Sequence, residues 1–271
     1  MPSKTVAVAV TLSDREQLTA DEAISLRQLV HILGRYDRYF VAPDGLDVPG
    51  GDFGVKRFAR RFFGSAQAHT RLMLSRGFYR AFEEYDYVLL YHLDALVLQD
   101  RLEEWCAAGF DYIGPPWLPC DDSPWVKVAR VGNGGFSLRR VQSFLRVLDS
   151  RRLAHNPDEY WERFVASRPR PLRYANVWRR YLKRIRLFNG VRWQIRRWNQ
   201  NEDHFWSEHA VHYDPAFKVA SPEQGLRFAF EVAPRLCLEL NGGELPFGCH
   251  AWPRYDRAFW EPYLVSSVSA H

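Results

Sequence analysis

Apolar residues first cluster from Thr5 to Leu12 (TVAVAVTL), a β-branched run without alternation, which predicts a strand buried on both faces. From Asp21 to Leu33, the positions Ile24, Leu26, Leu29, Val30 and Leu33 recur at helical spacing, and Gly34 ends the pattern. Tyr36 to Ala42 predicts a second strand, closed by Pro43, Asp44 and Gly45. Ala68 to Glu84 predicts a helix with Leu72, Met73, Phe78, Tyr79 and Phe82 as its apolar positions. Tyr85 to Val97 (YDYVLLYHLDALV) is the most strand-like run in the chain. Strand, helix and strand in alternation predict an α/β fold with a mostly parallel central sheet and right-handed crossovers. Farther along, Leu102 to Ala108, Arg140 to Leu148 and Asp203 to Val211 read as helices. Shorter strands are expected at Tyr112 to Ile113, within Val128 to Leu138, at Val219 to Ala220 and at Phe228 to Val232, and a Gly-containing turn at Leu245 to Trp252. No internal repeat or low-complexity linker interrupts the pattern. A single domain over residues 1–271 with one embedded insertion is the simplest organisation.

That insertion, about residues 168–198, changes the picture most. Of the chain's 37 Lys and Arg, eleven fall between Arg168 and Trp198, with no acid among them. The rest carries 26 basic against 32 acidic residues, so the overall +5 conceals a mildly acidic body with one basic segment. A nucleic-acid binder with charge spread over its surface is not expected. Within 176–197, Trp178, Tyr181, Leu182, Ile185 and Phe188 recur at helical spacing, and Arg179, Arg180, Lys183, Arg184 and Arg186 fill other positions. One amphipathic helix is predicted. It suits an anionic membrane surface or an acidic, lipid-linked acceptor, and it equally suits an ordinary helix docked on the core with its charges solvated.

Composition narrows the setting. No run approaches the ~18 apolar residues of a membrane-spanning helix. The apolar stretch after Met1 reads as a strand rather than a signal peptide. Cys106, Cys120, Cys237 and Cys249 show neither metal spacing nor CxxC, which fits a reducing compartment. A cytoplasmic protein, peripheral on the inner face of the membrane, is the expectation.

Four places carry candidate chemistry. His92 and Asp94 close the longest strand, where open parallel sheets bind ligands; a carboxylate there suits Mg²⁺ or Mn²⁺, or simply caps the next turn. Gly132, Asn133, Gly134 and Gly135 permit close approach of a ligand to bare backbone, or make a tight turn; neither a P-loop nor GxGxxG is present. Glu202 and Asp203 offer a general base, or an acid-rich helix start. His250, among aromatic residues, is a ligand or a core imidazole.

Taken in order, an acidic strand-end motif, GNGGFSLR, an acid pair before aromatics and a late Gly-x-His resemble GT-A glycosyltransferases. More narrowly, the chain is similar to a group of bacterial GT-A-type proteins known only as a domain of unknown function. The matching residues are Arg71 to Ser75, Phe78 and Tyr79, Tyr87 to Val97, Gly132 to Arg139, Glu202 and Asp203, and Phe247 to His250. The resemblance implies an inverting, hexosyltransferase-type enzyme of surface-polysaccharide assembly, with a nucleotide-sugar donor (a UDP-sugar in first place) and a glycan or lipid-linked acceptor. It implies a divalent metal, Mn²⁺ or Mg²⁺, on Asp94 and His250. Asp203 becomes the base, with Glu202 as substitute. His92, Asn133, Gly134, Gly135, Thr11 and Arg71 become donor or acceptor contacts. His92 stands where a DxD motif has its first Asp, so the expected metal site carries one negative charge fewer. Two rival classes remain at this level: a non-catalytic nucleotide- or sugar-binding module, and a basic, aromatic protein that binds RNA or membranes.

Overall fold

A computed structural model describes residues 4–265 of the chain. Strands β1 (Lys4–Thr11), β2 (Asp37–Pro43), β3 (Gly54–Phe58) and β4 (Tyr85–His92) lie parallel. Later in the chain come β5 (Leu96–Val97), β6 (Tyr112–Ile113), β7 (Pro116–Trp117), β8 (Arg130–Val131) and β9 (Phe136–Arg140). The central sheet has the order β3-β2-β1-β4-β9-β6, with β9 antiparallel to both neighbours. A small sheet joins β10 (Ala229–Phe230), β11 (Gly248–Cys249) and β5. The expected α/β architecture with a mostly parallel sheet flanked by helices is therefore present.

The apolar runs explain the centre. Val6 to Val10 and Tyr87 to Tyr91 are buried along their whole length because helices cover both faces of the sheet. On one of these, α1 (Ala20–Leu33), a Thr19–Glu22 capping box fixes the start. Two expected elements are shorter than their patterns. The helix expected from Ala68 to Glu84 is split into α2 (Ala66–Met73) and α3 (Arg76–Arg80), because the Ser75 hydroxyl accepts the Phe78 N–H and caps a new start. The strand expected to run to Val97 ends at His92, where the Ala95 N–H donates to the His92 carbonyl and turns the chain. Edge strand β3 is additional; of its five residues only Val55 and Phe58 are apolar, too few to betray it.

The basic segment is not one amphipathic helix. After α4 (Leu102–Ala107), α5 (Val141–Leu148) and α6 (Pro157–Trp161), it folds as α7 (Arg170–Ala175), α8 (Val177–Leu182), α9 (Arg186–Asn189) and α10 (Val191–Arg196). Buried Asn189 is the physical cause. Its Nδ2 donates to the carbonyls of Lys183 and His155 (2.6 and 2.7 Å), binding the chain into a turn. Ile185 and Gly190 are extended on either side of α9. Lys183, expected on the charged face, is buried instead, its ammonium 3.5 Å from the Trp193 ring centre. Burial, with Arg197 adding repulsion, lowers its pKa to about 8. Trp178, Tyr181, Ile185 and Phe188 all remain exposed. The four cysteines are unpaired. No helix among the described residues is long and apolar enough to cross a membrane.

Candidate active site

The carboxyl ends of β1 and β4 open into a cleft of about 500 Å³. Its walls come from segments brought together by the fold: the chain after β1, the start of α2 and the residues before it, the end of β4, the glycine loop before β9, α11 (Glu202–His204), and the residues Glu231 and His250 that follow the two strands of the small sheet. His92, Asn133, Gly134, Gly135, Glu202, Asp203 and His250 all line it. Asp94 joins through His250: the Asp94 Oδ1 lies 3.3 Å from His250 Nε2. Two other candidates stand apart from the lining. Thr11 is half-buried just before Leu12, Ser13 and Asp14, which do line the cleft, and Arg71 points outward from α2 while His69 and Thr70 face in.

The glycine loop lets these groups converge. A Cβ at Gly135 would collide with the His250 ring, and one at Gly134 with the Glu202 carboxylate. Asn133 adopts φ +52°, and its Oδ1 accepts the Gly135 N–H at 3.0 Å. Bare backbone here is thus required by close approach.

Glu202 and Asp203 have different surroundings. Arg139, wholly buried, donates from Nη2 to Glu202 Oε1 at 2.8 Å and from Nη1 to the Tyr79 hydroxyl at 3.0 Å. Its Nε donates to Ser137 at 2.9 Å. The Asp203 carboxylate accepts only the His204 N–H, at 2.8 Å, among the described hydrogen bonds. Burial, then the charge of Glu202, pushes its pKa up to about 7.

His92, Asp94 and His250 each offer one ligand atom, all within 4.8 Å of one another. The donor set of two imidazoles and a carboxylate suits a divalent transition metal. His250 Nε2 is buried and makes no hydrogen bond, its nearest partner being Asp94 Oδ1 at 3.3 Å. On its other side, His250 Nδ1 lies 3.0 Å from Glu231 Oε1, a carboxylate–imidazole arrangement that orients metal ligands. Burial opposes a charge on His250, yet Asp94 and Glu231 outweigh it and raise its pKa to about 10. Asp94 is also penalised by burial, but His250 and His92 hold its carboxyl well below the usual range. Burial and neighbouring imidazoles lower His92 to about 3; burial, with Arg139, lowers His69 to about 4. These two neutral rings meet Nε2 to Nε2 at 3.2 Å, so one must donate and the other accept.

Sequence reasoning missed His69 and Glu231, and it gave Arg139, the last residue of the GNGGFSLR run, no role. His69 is a lone imidazole on a short helix, with no pattern to mark it. Glu231 did carry a signal, being a charged residue inside the apolar run Phe228 to Val232, and Arg139 closes the GNGGFSLR run.

The fold and the cleft define an α/β protein with a carboxylate–imidazole site at its strand ends. Among solved structures, the chain is similar to a glycosyltransferase involved in glycosylation of the major capsid of PBCV-1, at 10% identity and TM-score 0.46, covering 96% of this chain and 98% of that one. It is also similar to the galactosyltransferase LgtC in complex with donor and acceptor sugar analogues, at 14% identity and TM-score 0.45, covering 95% and 93%. The catalytic domain of Drosophila β1,4-galactosyltransferase 7 is matched over 53% of this chain and 52% of that one, at 21% identity and TM-score 0.31. No curated protein matches significantly in sequence. The chain belongs to the family described as a protein of unknown function, DUF5672, whose pattern it matches over residues 52–250. That span contains His69, His92, Asp94, the glycine loop, the acid pair, Glu231 and His250.

Proposed function

We propose that this chain is a GT-A-type glycosyltransferase that moves a hexosyl group from a nucleotide-sugar donor, a UDP-sugar in first place, to a hydroxyl of a glycan or lipid-linked acceptor. One observation carries the reading: the His92, Asp94 and His250 cluster shares a strand-end cleft with Asp203, a buried carboxylate that titrates near neutrality. Held by those three side chains, a divalent cation (Mn²⁺ ahead of Mg²⁺, since two of the donors are imidazoles) would supply charge stabilisation for a diphosphate leaving group. Glu231 holds the His250 ring through Nδ1 and leaves Nε2 facing Asp94. Arg139 commits Glu202 to an ion pair, so Asp203 is the carboxylate free to take the acceptor's proton. A base acting on the acceptor opposite the leaving group implies inversion at the anomeric carbon, by analogy with inverting glycosidases. The exposed aromatic and basic side chains of 168–198 support work at the inner, anionic face of a membrane, in surface-polysaccharide assembly.

Calorimetry of UDP binding with and without Mn²⁺ tests the reading. Asp94→Ala should remain folded and lose Mn²⁺-dependent UDP affinity by at least about tenfold, since an outer ligand alone costs 10–100-fold. Unchanged binding in that variant rejects the site.

A further inference from the structure

A second concavity, of about 510 Å³, lies away from the cleft, between the end of α5 and the α9–α10 turn. Arg151, Arg186, Arg192 and Arg196 line it, and Asp149 is its one carboxylate. Asp149 is already engaged: Arg76 binds it at 2.8 Å, and Arg192 stands 4.0 Å off. Arg186 donates to the Ser150 carbonyl at 3.1 Å, while Arg151 and Arg196 have no side-chain partner among the described residues. Four guanidinium groups around a hollow with one neutralised acid make a site for a phosphate-bearing anion, whose oxygens accept the paired N–H donors of arginine.

The rim says which anion. Leu187 lines the same hollow and is 61% exposed, and its neighbours Ile185 and Phe188 are exposed as well. Apolar side chains left in water beside a ring of positive charge match a bilayer surface, where the headgroup is anionic and the acyl boundary begins just below it. We infer that this hollow receives the phosphodiester headgroup of an anionic phospholipid, with Leu187, Ile185 and Phe188 entering the interface around it. The inference rests on the membrane reading of segment 168–198 and is independent of the transferase reading.

Vesicle co-sedimentation at low salt tests it, without any need for turnover. The probes are phosphatidylcholine vesicles with and without phosphatidylglycerol. Wild type should sediment only with the anionic vesicles. Replacing Arg151, Arg192 and Arg196 together with Gln should weaken that binding at least about tenfold. Replacing Arg170, Arg173 and Arg179 with Gln removes the same charge outside the hollow and should weaken it far less. Unchanged circular dichroism and melting temperature establish that both variants fold. Equal loss in the two variants means diffuse attraction, which overturns the hollow and leaves the membrane reading standing. Failure of wild type to sediment overturns both. Protection by inorganic pyrophosphate in a thermal melt without vesicle binding, or capture of an RNA oligonucleotide in place of vesicles, overturns the lipid assignment.

Discussion

Asp203 and Glu202 are sequence neighbours with the same functional group, and the fold gives them opposite surroundings. Glu202 is held by buried Arg139, whereas Asp203 has burial and the charge of Glu202 against its ionisation. Asp203→Asn keeps the oxygen that accepts the His204 N–H and removes the proton acceptor. Turnover should fall roughly 10²–10⁴-fold while UDP affinity stays unchanged. In wild type, kcat/KM should rise with pH through about 7, the value to which Asp203 is raised, and the variant should lose that limb. Stability provides an independent readout with a fixed sign. Because the folded-state pKa is raised, the contribution of Asp203 to stability is complete below about pH 4 and is lost as pH climbs through about 7. Asparagine carries no such loss, so the variant's melting temperature should gain on wild type between pH 4 and 8. A constant difference across that range would remove the raised pKa, and a wild-type rate would remove the base.

At the level of elements, the loop at Asn133 to Gly135 joins the two halves of the site. Gly135→Ala pushes a methyl group into the His250 ring. Mn²⁺-dependent UDP binding should then drop at least about tenfold, the scale of a displaced metal ligand, while the melting temperature, set by the sheet, changes little. Retained affinity would show that the ring can move aside. The same loop illustrates what was legible in the sequence. Its glycines, the strand-end His92 and Asp94, the acid pair and His250 were visible because each has a local signature: a breaker, a polar residue ending an apolar run, an acid cluster. The long strands were visible for the same reason, since β1 and β4 are continuous apolar runs. His69 had to wait for the structure, and Glu231, though marked as a lone charge in an apolar run, had no sequence signal for its place, because α2 and the small sheet reach the cleft only through tertiary packing. The basic segment misled for a related reason. Its helical spacing is real, but buried Asn189 makes hydrogen bonds to His155 and Lys183 that outweigh a continuous helix.

Across the whole molecule, the site depends on two apolar cores meeting correctly. His92 belongs to the central sheet and its large core, whereas Glu231 and His250 follow β10 and β11, which pack on a second core containing Phe230, Trp252 and Trp260. The two cores are stitched where the Trp252 N–H donates to the Asp94 carbonyl at 3.0 Å, while the His250 N–H donates to the Phe230 carbonyl at 2.9 Å within the small sheet. Trp260 is fully buried in the second core, in edge contact with Phe259. Trp260→Ala should cost about 3–5 kcal/mol there. If the small sheet opens as its own unit, amide exchange at Cys249 and His250 should accelerate while Val8 and Leu89 in the central sheet stay protected. Mn²⁺-dependent UDP binding should weaken in parallel, since His250 and Glu231 would leave His92 and Asp94 behind. Exchange that accelerates equally in β1, β4 and β11 would instead make the chain one cooperative unit, and the selective loss of the metal site would not occur.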